Sequence, residues 1–186
     1  MAWRGVGSKP PLPPSSAIES EVVMVMWKIQ SRDGTYKQTA EARQACLTKP
    51  TGALGALEDV AIWLADIQQT ERPEVKPAAA IVFASDHPVS RLGVSAYPRE
   101  VTPMMILNLV AGGAAASVLC RMHGLPLYIV DVGVEPYPDP QPAEGVYWHR
   151  VCLTGAAGDL VDSDAMDADL VGAALQAGAD AVDALP

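Results

Sequence analysis

Cations are scarce in this sequence, and beyond Arg150 they are absent. The chain carries 13 lysines and arginines against 22 aspartates and glutamates, a formal net charge of −9. After Arg150 come Asp159, Asp162, Asp164, Asp167, Asp169, Asp180 and Asp183, with no lysine or arginine. That balance excludes nucleic acid and an anionic membrane surface as partners, and the acidic run reads as a solvated face. Cysteine is also rare. Cys46, Cys120 and Cys152 are far apart and odd in number, with no CxxC pair and no histidine at ligand spacing. A zinc site and a disulfide framework are thereby excluded, no metal is expected, and the composition fits a reducing cytoplasm. The opening "MAWRGVGSKPPLPPSSAIES" lacks the apolar core of a secretory signal and is expected to be a flexible leader. A membrane span is not expected either. The one long apolar stretch, "VTPMMILNLVAGGAAASVLC", is interrupted by Pro103, Asn108, Gly112, Gly113 and Ser117 and reads as a buried helix. Its "GGAAAS" has neither GxGxxG nor GxxxxGK[ST] spacing and falls mid-helix, so Gly112 and Gly113 are expected to let that helix pack closely on a sheet.

The remaining pattern is that of an α/β domain, and 186 residues suffice for one. The apolar run Val22–Ile29 fits a short strand or a turn or two of helix equally well. From Thr39 to Leu47 the pattern is helical, and "KPTG" then breaks it. Leu54, Leu57, Val60, Ala61, Leu64 and Ile67 recur at three- and four-residue steps, which predicts an amphipathic helix with its stripe turned inward. "PAAAIVFAS" and "PLYIVDVGV" are continuous apolar runs, expected as strands of a parallel sheet covered on both faces. Between them Thr102 stands at an N-cap position, Pro103 at N1 and Gly124 at C′, so a single helix should join the strands in a right-handed βαβ unit. The prolines from Glu135 to Glu144 leave little room for regular structure. A last helix should start with Asp167 as its N-cap.

In an open parallel sheet, ligands gather outside the carboxyl ends of the strands. Two polar groups fall there: "SDH" after the first strand, and Asp131 with Gly133 after the second. Asp86 is equally readable as a turn acid binding backbone N–H groups, and His87 as a satisfied loop histidine. Asp131 either positions a loop or touches substrate. No Ser/His/Asp or Cys/His arrangement is legible, so these residues alone do not name a reaction.

Three longer segments are more specific. "LTKPTGALGALEDVAIWLADIQ" resembles an LTKPxGSLGxLE segment of the nicotinate-nucleotide–dimethylbenzimidazole phosphoribosyltransferase family, "FASDHPVSRLGVSAYPREVT" resembles its FAADHGVxxEGVSAYPxEVT loop, and "GGAAASVLCRMHGLPLYIVDVGV" resembles its GGAAINVLAR…VVDVGV. "GAALQAGADAVDAL" is similar to the helix that follows. The resemblance runs from Thr39 to Leu185 and implies a three-layer, Rossmann-like parallel sheet flanked by helices, with a small helical part and a homodimeric assembly. It further implies transfer of phosphoribosyl from nicotinate mononucleotide to 5,6-dimethylbenzimidazole, giving α-ribazole 5′-phosphate for the lower ligand of cobalamin, with no cofactor. The matching residues place Asp86, His87, Ser95, Tyr97, Pro98, Thr102, Met104 and Met105 on the benzimidazole side, and Asp131 and Gly133 on the nucleotide side.

The family's general-base glutamate, in an LGEGSG-like segment, and its GExGxxNTT-like phosphate segment are not in this sequence. Residues 37–186 therefore match the family's N-terminal half, an incomplete version of its domain, after a leader at 1–36. No catalytic residue is expected within the chain. Several positions also depart from the family pattern. Pro88 replaces a glycine, Leu92 an acid, Met104 or Met105 a glutamine, Gly158 an arginine and Asp159 an asparagine. Two readings follow: one part of a phosphoribosyltransferase that works with a missing C-terminal half, or an inactive relative that binds a benzimidazole-like base or a partner protein. Exposed apolar surface and self-association are expected in either case.

Overall fold

A computed structural model describes residues 31–134, 136–151, 153 and 158–185. Most of the leader and the run Val22–Ile29 lie outside them, as does Cys152. The described residues form two compact units that meet at Pro77, a helical pair before it and an α/β unit after it.

The helical unit holds α1 (Thr35–Cys46) and α2 (Ala56–Gln68). The "KPTGALGALE" segment between them is stapled by its own charges. Lys49 Nζ lies 2.8 Å from Glu58 Oε1, and the same carboxylate oxygen accepts the Leu54 amide at 3.1 Å. Glu58 sits in the first turn of α2, where a negative charge also meets the helix dipole. The Lys49 side chain, and after it the Leu54 amide, hold the Glu58 carboxyl below its ordinary range. The apolar stripe departs from expectation. Of the expected stripe Ala61 and Leu64 are half-buried, while Leu54, Leu57, Val60 and Ile67 are exposed, as is Trp63, and only Ala65 of α2 is fully buried. Periodicity shows that a stripe exists but does not say what covers it.

The second unit is built on a three-stranded sheet of β1 (Ala80–Ser85), β2 (Leu127–Gly133) and β3 (Val146–Arg150), ordered β1-β2-β3 and parallel throughout. Successive side chains on a strand point to opposite faces, and the core follows that period. Leu127, Ile129, Val146 and Trp148 pack on one face with Ile106, Val110 and Cys120, while Tyr128 and Val130 meet Ala181 on the other. The result is three layers, with α3 (Val101–Val110) and α4 (Ala115–His123) on one side and α5 (Ala168–Asp183) on the other. β2 is covered on both faces as expected. Among the described residues β1 is an edge strand, and Phe83 is 48% exposed.

The expected single helix is two. By length and composition Val101–His123 would pass for a membrane span, yet the chain breaks between α3 and α4. Gly112 adopts φ 84°, and the Gly113 amide reaches back to the Asn108 carbonyl at 3.0 Å, closing α3 with a left-handed residue. A Cβ at Gly112 would meet Ala143 at 3.1 Å, so Gly112 permits a close approach, as expected, but does so at the end of a helix rather than in the middle of one. Gly124 ends α4 in the same way, at φ 64°. At the other end α3 begins at Val101 with Glu100 as N-cap, and Thr102 makes no cap bond. Asp167 is the N-cap expected for α5, its Oδ1 accepting the Leu170 amide at 2.8 Å.

Candidate functional site

β1 and β2 end side by side, Ser85 paired with Gly133 after an irregularity at Ala84/Ser85. One residue later the Asp86 amide donates to the Gly133 carbonyl at 3.1 Å, which carries the parallel alignment into the loop. His87 is extended, as a residue before proline should be, and Pro88 opens a 3-10 turn, Pro88–Leu92. Proline at the first position of a helical turn gives up an N–H that would lack a helical partner in any case. Pro88 is thus accommodated by the local fold. Gly93, at φ 73°, then turns the chain toward Ser95, Tyr97 and α3.

These turns enclose an open pocket of about 420 Å³. Of the residues expected on the benzimidazole side, Asp86, His87, Ser95, Tyr97, Pro98, Thr102 and Met105 all line it; Met104 does not and points to solvent. One turn-to-helix segment supplies nearly the whole wall, so a local sequence pattern could announce the pocket. Tyr97 is 72% exposed and leaves its ring free to cover a flat ligand. Ser85 Oγ lies 3.2 Å from His87 Nε2, and the His87 carbonyl accepts both the Ser90 amide and the Ser90 hydroxyl.

Arg99 also lines the pocket, although its sequence position alone did not single it out. Its Nε lies 3.5 Å from Asp86 Oδ2, and the Asp86 side chain is only 3% exposed. The pair ties the start of the loop to its end. Asp86 therefore acts as a buried anchor as well as a wall residue. An arginine immediately before a helix and an acid immediately after a strand are visible in the sequence, but their pairing is not.

Asp131, expected on the nucleotide side, is engaged within the fold. It is fully buried, and both oxygens face donors of the protein itself. Oδ1 accepts the amides of Gly133 at 3.1 Å and Val134 at 2.9 Å, while Oδ2 accepts Tyr137 Oη at 2.7 Å and Arg150 Nε at 3.2 Å. A carboxylate has about four lone-pair positions, and four donors occupy them. Of the two readings left open by the sequence, loop positioning is the one this geometry supports. Gly133 follows as the residue being positioned.

β3 is the element that sequence pattern missed, and it carries half of this network. Trp148 Nε1 donates to Tyr137 Oη at 3.1 Å, and Tyr147 stacks on Tyr128 with ring centroids 4.7 Å apart. Burial, followed by the bond to Asp131, pushes the Tyr137 phenol up to about 12, so it remains a donor at ordinary pH. Aromatic residues after Gly145 were the available signal.

Gly158 and Asp159 are half-buried at the start of a loop that becomes exposed from Leu160. Asp159 Oδ1 accepts the amides of Asp162 and Val161, both at 2.9 Å, and those bonds lower its carboxyl below the ordinary range. No cluster of metal-ligating side chains occurs among the described residues.

A parallel sheet flanked by helices, with an open and largely apolar pocket at its strand ends, defines a three-layer α/β domain. A phosphoribosyltransferase family model matches residues 29–186. The nicotinate-nucleotide–dimethylbenzimidazole phosphoribosyltransferase of Mycobacterium tuberculosis (strain ATCC 25618 / H37Rv) is 41% identical over 151 residues, covering 81% of this chain and 40% of that protein. The protein of the same name from Deinococcus radiodurans is 45% identical over 130 residues, covering 67% of this chain and 36% of that protein. Among solved structures, CobT from Thermus thermophilus matches with a TM-score of 0.68 at 37% identity, over 80% of this chain and 43% of that one. The chain belongs to the nicotinate-nucleotide–dimethylbenzimidazole phosphoribosyltransferase family. It spans about two fifths of the length of the curated relatives it matches.

Proposed function

We propose that this chain forms the base-binding side of a cytoplasmic phosphoribosyltransferase that acts on nicotinate mononucleotide and 5,6-dimethylbenzimidazole in making the cobalamin lower ligand. The observation that carries the reading is the convergence of Asp86, His87, Ser95, Tyr97, Pro98, Thr102 and Met105 on one open pocket. In such a transfer a benzimidazole nitrogen attacks C1′, nicotinate leaves, and the configuration at C1′ inverts from β to α. The transition state has oxocarbenium character. The protein has to hold the two reactants in line and remove the proton from the base.

The described pocket serves the first task. Tyr97 offers an aromatic face, and Ser85, Ser95, Thr102 and His87 offer polar edges. Proton removal is assigned to a glutamate, and phosphate binding to a glycine-rich segment, both outside this sequence. On this reading Asp131 and Gly133 shape the neighbouring strand end rather than contact the nucleotide.

Calorimetric titration of the full chain tests the division of labour. The expected result is binding of dimethylbenzimidazole without measurable binding of nicotinate mononucleotide. Failure to bind the base would overturn the base-binding role. A chain that binds the base, yet makes no α-ribazole phosphate with any polypeptide carrying the two missing segments, would be the inactive relative instead.

Self-association belongs to the same proposal. The stripe of Leu54, Leu57, Val60, Trp63 and Ile67 along α2 is exposed, and soluble proteins rarely leave such a row uncovered. Sedimentation is expected to show a concentration-dependent dimer or larger species, and a monodisperse monomer would contradict it.

A further inference from the structure

Arg150 touches no part of the pocket, yet it is the most heavily engaged cation among the described residues. Its guanidinium carbon lies 4.1 Å from the centre of the Tyr137 ring and 5.0 Å from that of Trp148. Nε donates to Asp131 Oδ2 at 3.2 Å, one terminal nitrogen to Asp139 Oδ1 at 3.3 Å, and the other to the Tyr137 carbonyl at 3.2 Å. A planar, permanently charged fork can stack on the rings while making these in-plane bonds, which lysine cannot do. Burial opposes its charge, but the bonds to Tyr137 and Asp131 outweigh that and leave the Arg150 pKa raised.

The engaged carboxylate leads to the pocket. Asp131 Oδ1 holds the amides of Gly133 and Val134, and the Gly133 carbonyl accepts the Asp86 amide at 3.1 Å. Asp86 is the inner wall of the pocket and the partner of Arg99. We infer that Arg150 is a positioning residue for the base pocket, fixing Asp86 through Asp131 and Gly133. The inference rests on the proposed base-binding role for its functional meaning and on the geometry alone for its structural content. Arg150 sits against Asp131 Oδ2 and holds the carboxylate in the orientation that keeps both backbone amides on Oδ1. Without that cation Asp131 must rotate or admit water, and the strand end loses its clamp.

Backbone-amide hydrogen exchange on the full chain, read residue by residue by NMR, tests this independently of any ligand. In Arg150→Gln the amides of Asp86, Gly133 and Val134 are expected to exchange about tenfold faster or more, the scale of one charge-assisted hydrogen bond. The amides of Val130 and Ala181, in the core of β2 and α5, should keep their rates. Arg150→Lys should recover only part of the protection, because it restores the charge without the fork. Unchanged rates at the three rim amides overturn the inference. So does a uniform loss across β2 and α5, which is what a merely structural arginine would produce. If Arg150→Gln fails to fold, Tyr137→Phe decides by the same reading, since it deletes one donor to Asp131 and keeps the ring beneath the guanidinium.

A dimethylbenzimidazole titration then separates the two proposals. If the wild-type chain does not bind the base, the base-binding role fails and the exchange pattern still decides what Arg150 does. If the wild type binds and Arg150→Gln binds equally well despite faster rim exchange, Arg150 does not position the pocket.

Discussion

Asp131→Ala is expected to destabilise the chain by about 3 kcal/mol, because four donors lose their acceptor at once and a cation is left facing an apolar hole. The Asp131 side chain is 1% exposed, so water cannot easily replace the carboxylate, while Arg150 at 22% exposure recovers part of its hydration. That partial exposure keeps the expected cost at the lower end for a broken buried pair. Urea denaturation followed by circular dichroism measures it as a lower midpoint. Asp131→Asn should cost less. It keeps one oxygen for the Gly133 and Val134 amides but cannot neutralise Arg150. If alanine and asparagine were both tolerated without loss, Asp131 would not clamp the strand end.

Tyr97→Ala is expected to do the reverse, leaving stability within about 0.5 kcal/mol and weakening dimethylbenzimidazole binding about tenfold. The ring is already largely exposed, so folding buries little of it and its removal leaves no cavity. Its free face becomes buried only against a ligand, and stacking with a flat bicyclic base is worth on the order of 1 kcal/mol beyond the area covered. Tyr97→Phe keeps that face and should bind nearly as the wild type does. Calorimetry on the three proteins gives the comparison. Equal affinities would remove Tyr97 from the pocket's function, and a large fall in stability would mean that the ring supports the fold.

The contrast between these residues follows the division between what was legible and what was not. Tyr97 lies in a continuous segment, "SDHPVSRLGVSAYPREVT", that makes most of one pocket by itself. Asp131 could be seen only as a polar residue at a strand end. Its role depends on Tyr137, in the loop that follows β2, and on Arg150, distant in sequence, which meets it because β3 pairs with β2. β3 escaped because five residues with Tyr, His and Arg among them do not look apolar, although His149 and Trp148 are buried there. Partners from β2 and the loop after it, rather than local pattern, make the strand. The helix between β1 and β2 was read as unbroken for a related reason. Apolar composition persists through Gly112 and Gly113, and only the left-handed φ at Gly112 shows the chain turning.

The sequence by itself determined the α/β class, the parallel strands β1 and β2, the N-cap of α5 and the family. Each of these rests on neighbours close along the chain or on a long contiguous pattern. Tertiary structure alone decided the third strand, the division after Pro77, the outward face of α2 and the Arg150–Asp131 clamp. Those depend on which groups meet across the fold, and a carboxylate held by four donors reads in one dimension like any other aspartate.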